Sequence, residues 1–195
     1  MSQQVYIDVG CRAGIYALKW AEDRNKTVYA FEPEPVAYAE LCKLAPPNMK
    51  VFPWAVCTRP GTFPFFVSSN PGASSLKPTV PGKCPYTVTS TVDVRTVRLD
   101  WFLADHGISK IECLKVDAQG SDLDVIESLG DRVRGVRCIL IEAAKDGTEY
   151  YEGQCHASEV TAYLVRFGFK LTGTRPDGNF LDLAFLNTYR GATWP

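Results

Sequence analysis

The short apolar runs of this chain do not alternate, and this constrains its fold more than any other feature. Residues 5–9 (VYIDV), 27–31 (TVYAF), 111–116 (IECLKV) and 138–141 (CILI) are close to continuously apolar. A strand with one wet face alternates with period two, whereas a strand covered on both faces need not. Between these runs lie stretches with helical spacing, at 15–21, 35–44, 99–107, 121–129 and 158–167. Strands and helices taking turns imply a parallel sheet with helices on both faces, an α/β doubly wound fold. Two late runs, 169–173 and 181–186, flank the turn Pro176-Asp177-Gly178-Asn179 and predict an antiparallel edge.

Finer expectations follow from the same pattern. The first helix should turn Ile15, Leu18 and Trp20 or Ala21 inward, and residues 50–56 should form one strand. After Pro60-Gly61, residues 62–67 read as a hairpin arm. Residues 68–86 are rich in Ser, Pro, Gly and Lys, and a loop of that length in a compact domain is often a functional cover or lid. No repeat or second domain interrupts the pattern, so 1–195 reads as one domain.

Charge and cysteine content narrow the partners and the setting. A formal net charge of −1 argues against nucleic-acid backbone or anionic membrane as the partner, since both need concentrated positive charge. The seven cysteines are odd in number and lack metal or disulfide spacing, which predicts reduced, mostly buried thiols. Met-Ser-Gln-Gln leads directly into the first apolar run, and no segment is long enough to span a bilayer. The expected location is the cytoplasm.

An open α/β sheet binds ligands at the carboxyl ends of its strands, and four such ends carry suggestive residues. Asp8-Val9-Gly10-Cys11-Arg12-Ala13-Gly14 is D-x-G-x-x-x-G, not the G-x-G-x-x-G that cradles a pyrophosphate. Its glycines allow close backbone approach, and its acid suits a ligand bearing an ammonium group. Glu32 closes the second strand 24 residues later, where an acid can accept from both ribose hydroxyls. Lys115, Asp117 and Gln119 follow at the third end. A lysine inside an apolar strand needs a partner, and Asp117 or a neighbour is the expected one. Glu142 closes the fourth end, either lining an acceptor pocket or pairing with Lys115 or Lys145.

Taken with Phe31-Glu32-Pro33-Glu34-Pro35, Ala73-Ser74-Ser75-Leu76, Val97-Arg98-Leu99-Asp100 and Leu114-Lys115-Val116-Asp117-Ala118-Gln119-Gly120, these motifs resemble the FkbM family of methyltransferases. The resemblance spans nearly all of 4–187. It implies a class I, Rossmann-like, mostly parallel seven-stranded sheet with an antiparallel edge strand, and S-adenosylmethionine as methyl donor. On the matching positions Asp8, Gly10 and Gly14 would hold the methionine end and Glu32, beside Pro33, the ribose. Trp54, Ala55 and Val56 would flank adenine, with Ser75, Asp117 and Gln119 near the donor. Cys11-Arg12 departs from the Ala-Asn of many relatives, placing a cation, Arg12, in the donor site.

A sulfonium donor is already activated, so the protein must align the acceptor and, for a hydroxyl, take its proton. Asp117 is the first candidate for that role and Glu142 the second. His106 and His156 read as solvated loop residues. The expected acceptor is a hydroxyl of a sugar or natural product. A peptide amide nitrogen or a non-catalytic adenosyl-binding module are the alternatives. No metal is expected, and the assembly is expected to be a monomer or homodimer.

Overall fold

The computed structural model describes residues 4–188; the outer ends of the predicted 1–195 domain lie outside the described residues. The chain runs β1 (Gln4–Val9), α1 (Ile15–Ala21), β2 (Lys26–Phe31), α2 (Pro35–Leu44), β3 (Met49–Phe52), β4 (Trp54–Val56), β5 (Gly61–Ser68) and β6 (Val88–Val97). It continues through α3 (Leu99–Asp105), β7 (Ile111–Val116), α4 (Asp122–Glu127), β8 (Val136–Ala144), α5 (Ala157–Arg166), β9 (Phe169–Asp177) and β10 (Phe180–Asn187). Seven strands form the main sheet in the order β3-β2-β1-β7-β8-β10-β9. All pairs are parallel except those of β10, which is antiparallel to both neighbours. The predicted doubly wound sheet with one antiparallel strand is therefore present.

The order reverses between β1 and β7, so the connections that follow these two strands depart in opposite directions and leave a crevice beyond the strand ends. The larger core lies under α3, α4 and α5, where Ile7, Leu114, Ile126, Ile139 and Leu164 are fully buried. Each such side chain contributes about 1.5–3 kcal/mol. A smaller core joins Ala17, Ala21 and Leu41 of α1 and α2 to Val28, Ala30 and Met49. α2 starts where the sequence signals it: Glu34 accepts hydrogen bonds from the Val36 and Ala37 amides, and Pro35 occupies the first helical position.

Three expectations need correction. Residues 50–56 do not form one strand; β3 ends at Phe52, and β4 joins a separate sheet of order β4-β6-β5. Pro53 between them offers no amide to the ladder, which frees Trp54 to change sheets. Ile15 faces outward at 76% exposure, and α1 packs through the small residues Ala17 and Ala21 instead. Of the seven free cysteines only Cys11, Cys113 and Cys155 are buried.

The 68–86 segment is stitched rather than loose. It carries one 3-10 turn, Pro71–Ala73, and makes isolated antiparallel bridges from Ser75 to Phe66 and from Thr79 to Tyr151. No helix among the described residues is long and apolar enough to cross a membrane.

Candidate active site

The ends of β1 and β7 are fastened to each other. The Asp117 amide donates to the Val9 carbonyl at 3.0 Å, and the Gly10 and Cys11 amides both reach the Phe31 carbonyl of β2. Gly10 holds φ 69°, and a β-carbon there would lie 1.8 Å from the Asp117 carbonyl oxygen. Only glycine lets the two strand ends close this far. Glu32 then clasps both turns: Oε2 accepts from the Arg12 amide at 2.6 Å and Oε1 from the Glu34 amide at 2.9 Å. Each oxygen retains a second lone pair for a ligand. Burial raises the Glu32 carboxyl above its ordinary range, against the pull of those two amides.

Two adjoining cavities open over these ends. The smaller, about 200 Å³, has Gly10, Arg12, Glu32 and Pro33 on one side and Trp54, Ala55 and Val56 on another. Asp117, Gln119 and Glu142 line it as well, with Phe65, Ser74 and Leu76 from the second sheet and its following segment. The larger, about 550 Å³, shares Gly10, Arg12, Asp117 and Glu142 with the first and extends to Arg175, Asp177 and Asp182 on the β9–β10 hairpin. Both cavities meet at Asp117 and Glu142.

There the side chains form one network. Gln119 Nε2 donates to Asp117 Oδ1 and to Glu142 Oε2, each at 2.7 Å. Its Oε1 accepts from the Tyr151 hydroxyl at 3.0 Å, and its backbone carbonyl accepts from Ser75 Oγ at 2.7 Å. Gln119 itself holds a left-handed φ of 49°, a conformation that costs a non-glycine residue of order 1 kcal/mol. Burial, and then the charges of Asp117, Asp122 and Asp182, push the Glu142 carboxyl up to about 9. Beneath them Lys115 Nζ lies 3.2 Å from Asp117 Oδ2, 3.5 Å from Asp8 Oδ1 and 3.1 Å from the Gly10 carbonyl. Burial would lower its ammonium pKa, but the two carboxylates outweigh that and raise it.

The structure brings together Gly10, Arg12, Glu32, Pro33, Trp54, Ala55, Val56, Asp117, Gln119 and Glu142. Three other expected site residues, Asp8, Gly14 and Ser75, lie outside the smaller cavity. Asp8 is 1% exposed and lines only the larger cavity; its Oδ2 accepts from the Ala17 amide at 3.2 Å, and its Oδ1 lies 3.5 Å from Lys115 Nζ without a hydrogen-bond partner. Gly14 caps α1 at φ 70°, where a β-carbon would meet Leu41 at 2.4 Å, so it serves packing. Ser75 is buried and reaches the cavities only through Gln119. Glu142 takes Gln119 as its partner, while Lys145 bonds the Gly178 carbonyl. His156 caps α5 and His106 bonds the Phe102 carbonyl; neither lines the two cavities.

Three residues beyond the sequence reading complete the site. Asp122 accepts from the Ala118 and Gly120 amides at 2.6 and 2.9 Å and shapes the turn after β7. Burial, with the Asp117 charge, pushes its carboxyl up to about 7. An acid in the first turn of a helix, two residues after Gly120, was the visible signal. Tyr151 arrives from a distant loop and had no local signal. Ser121 lines the smaller cavity at 2% exposure, and its hydroxyl has no protein partner. Among the described residues no three His, Cys, Asp or Glu side chains gather as a metal cage.

A family model described as a methyltransferase FkbM domain matches residues 8–171. The 2-O-methyltransferase NoeI of Sinorhizobium fredii is 27% identical over 94% of this chain and 79% of its own length. The methyltransferase sdnD of Sordaria araneosa is 25% identical over 90% and 77%. Among solved structures, the precorrin-6y C5,15-methyltransferase of Geobacter metallireducens superposes with a TM-score of 0.53 at 11% identity, covering 95% of this chain and 80% of that one. Magnesium protoporphyrin IX methyltransferase from Synechocystis, solved with S-adenosylmethionine bound, gives 0.52 at 12% identity over 96% and 71%.

Proposed function

The chain belongs to the FkbM family of S-adenosylmethionine-dependent methyltransferases, and we propose that it methylates a hydroxyl oxygen of a sugar or other natural-product acceptor. The observation that carries this reading is the Asp117–Glu142 pair, joined through Gln119 at the meeting point of the two cavities. A hydroxyl must shed its proton as it attacks, and a carboxylate within hydrogen-bond reach is the group to take it. The larger cavity adds Thr174, Arg175, Asp177 and Asp182, a wall of donors and acceptors suited to a polyhydroxylated molecule. The name of the related NoeI points to oxygen as well.

The smaller cavity fits the donor. The Glu32 and Asp117 carboxylates in its lining disfavour a phosphate and favour a sulfonium cation. The buried, unpartnered Ser121 hydroxyl is the kind of group a heterocycle edge would satisfy. S-adenosylmethionine, when bound, supplies an activated methyl group. In this reading the spare lone pairs of Glu32 accept from ribose hydroxyls, and Trp54, Ala55 and Val56 flank adenine. Gly10 lets the backbone approach the methionine end, and Arg12 reaches its carboxylate. Asp8, on the floor of the larger cavity, and Gly14 shape that turn, and Ser75 fixes Gln119. Asp117 takes the acceptor proton. Glu142, protonated at neutral pH, donates to the acceptor and helps to orient it.

The test is a trideuteromethyl donor offered with panels of oligosaccharides, hydroxylated small molecules and peptides, read by tandem mass spectrometry. Label on hydroxyl oxygen is expected. Label confined to peptide amide nitrogen overturns the proposal.

A further inference from the structure

Tyr151 is 2% exposed and sits 32 residues from Gln119, yet its hydroxyl reaches the middle of the carboxylate network. It is delivered there by a second set of contacts. The Val80 amide donates to the Tyr150 carbonyl and the Glu152 amide to the Pro78 carbonyl, so the 150–152 backbone is bound to the 78–80 backbone on either side of Tyr151. Its ring lies against Gly120, where a β-carbon would come within 2.9 Å of it. Burial raises its phenol well above the ordinary range, so the hydroxyl keeps its proton and remains a donor.

That proton determines how Gln119 is turned. A primary amide has an oxygen end and an NH₂ end of nearly the same shape. With Oε1 facing the Tyr151 hydroxyl, Nε2 faces Asp117 and Glu142 together. The reverse orientation sets an amide oxygen against the Asp117 carboxylate and an NH₂ against the phenol, which can accept it only by turning its own proton to the Ala73 carbonyl. We propose that Tyr151 is a positioning residue for methyl transfer: by donating to Gln119 Oε1 it fixes the amide so that Nε2 holds the Asp117 and Glu142 carboxyl groups together. The inference rests on the reading above that these two groups face the acceptor.

The same hydroxyl lies 3.0 Å from the Ala73 carbonyl in the 3-10 turn beside the donor cavity. One proton faces two acceptors. When it turns to Ala73 it leaves Gln119 without its donor, so the turn at Pro71–Ala73 and the carboxylate pair are coupled through Tyr151.

The test is Tyr151→Phe, which removes only the hydroxyl. Carbon-13 carboxyl NMR would follow Glu142, and nitrogen-15 NMR the Gln119 amide. Asp117, Asp122 and Asp182 raise the Glu142 midpoint and Lys115 opposes them, and all four remain in the variant. In Tyr151→Phe the freed amide can offer Oε1 to protonated Glu142, so the Glu142 midpoint should rise by about one pH unit, a tenfold change in ionisation. The Gln119 amide protons should exchange with water about tenfold faster, while S-adenosylhomocysteine affinity stays within about threefold. Unmoved Glu142 and Gln119 signals overturn the proposal. So does a loss of ligand affinity and thermal stability in step with the shifts, which marks a merely structural residue. If Tyr151→Phe does not fold, Gln119→Met should produce the same upward shift of Glu142, and an unchanged midpoint there also refutes it. A moved Glu142 midpoint with unaltered turnover upholds the hold on the carboxyl groups and overturns their assignment to the acceptor.

Discussion

Replacing Glu142 by glutamine should stabilise the protein above pH 6, although Glu142 lies at the centre of the site. The folded state pushes this carboxyl from 4.5 up to about 9, through burial and then the neighbouring charges of Asp117, Asp122 and Asp182. Below pH 4 the group is protonated whether the chain is folded or not, so it has no effect on stability. Between 4.5 and about 9 the unfolded chain has released the proton while the folded chain retains it, and stability falls as pH rises. Each unit costs about 1.4 kcal/mol, which caps the penalty at pH 8 at about 5 kcal/mol. The hydrogen bond from Gln119 Nε2 and the open side of the cavity keep the realised value lower, at about 1–3 kcal/mol. Glutamine keeps the shape and an oxygen for Gln119, and it has no proton to lose. Urea unfolding of both proteins at half-unit intervals from pH 4 to 9 measures the difference directly. Two curves that converge near pH 4 and diverge steadily above it are expected. Parallel curves, or a variant less stable at pH 8, would mean that the fold does not hold the Glu142 proton.

Three further outcomes can be checked on the purified protein. Arg12→Gln should weaken S-adenosylhomocysteine about fivefold, the ~1 kcal/mol of an exposed charge contact, and leave 5′-methylthioadenosine, which lacks the carboxylate, unchanged in calorimetry; equal losses for both ligands would remove Arg12 from the carboxylate. Ser121→Ala should weaken both ligands by about 1 kcal/mol while raising unfolding stability by a similar amount, because it deletes a buried hydroxyl without a partner; a destabilised variant with unchanged affinity contradicts this. Gly10→Ala should cost about 2–5 kcal/mol in urea unfolding, since it combines left-handed strain with a β-carbon 1.8 Å from the Asp117 carbonyl. A loss below 1 kcal/mol would mean that the β1 and β7 ends part easily.

The sheet was legible because its strands are buried on both faces, and that condition writes itself into unbroken runs such as 27–31 and 111–116. Glu32 and Asp117 were legible for a related reason: each is the first polar residue beyond or near the end of such a run, so chain direction alone placed them on one rim. The phase of α1 was not legible. Seven residues make two turns, too few for periodicity to choose between Ile15 and Ala17, and close packing under Leu41 selected the smaller side chain. Pro53 was visible in the sequence, but that the chain would leave for a second sheet depended on a partner, β6, some forty residues later. Tyr151 shows the same limit at the site. Its role depends on backbone pairing between 150–152 and 78–80, and neither segment has the length or periodicity to announce that pairing.

The location of the site can also be argued from where the molecule tolerates unfavourable local structure. Among the described residues only Arg12 and Gln119 are non-glycine residues with positive φ, and both line the smaller cavity. The carboxyls of Glu32, Asp122 and Glu142, raised mainly by burial, each accept a hydrogen bond from the turns that carry Arg12 and Gln119. Each departure costs free energy that a surface loop or an apolar core would avoid, and the fold keeps them next to one another. The two hydrophobic cores, packed on the sheet faces, supply the stability that offsets this cost. A crevice whose buried carboxyls are held above their ordinary range gains when a positive charge enters, because the charge stabilises their ionised forms and offsets part of the solvation lost on burial. A neutral or anionic ligand offers no such relief. The site therefore discriminates by charge before any particular contact is made, in the sense required for a sulfonium donor and opposite to that required for a pyrophosphate.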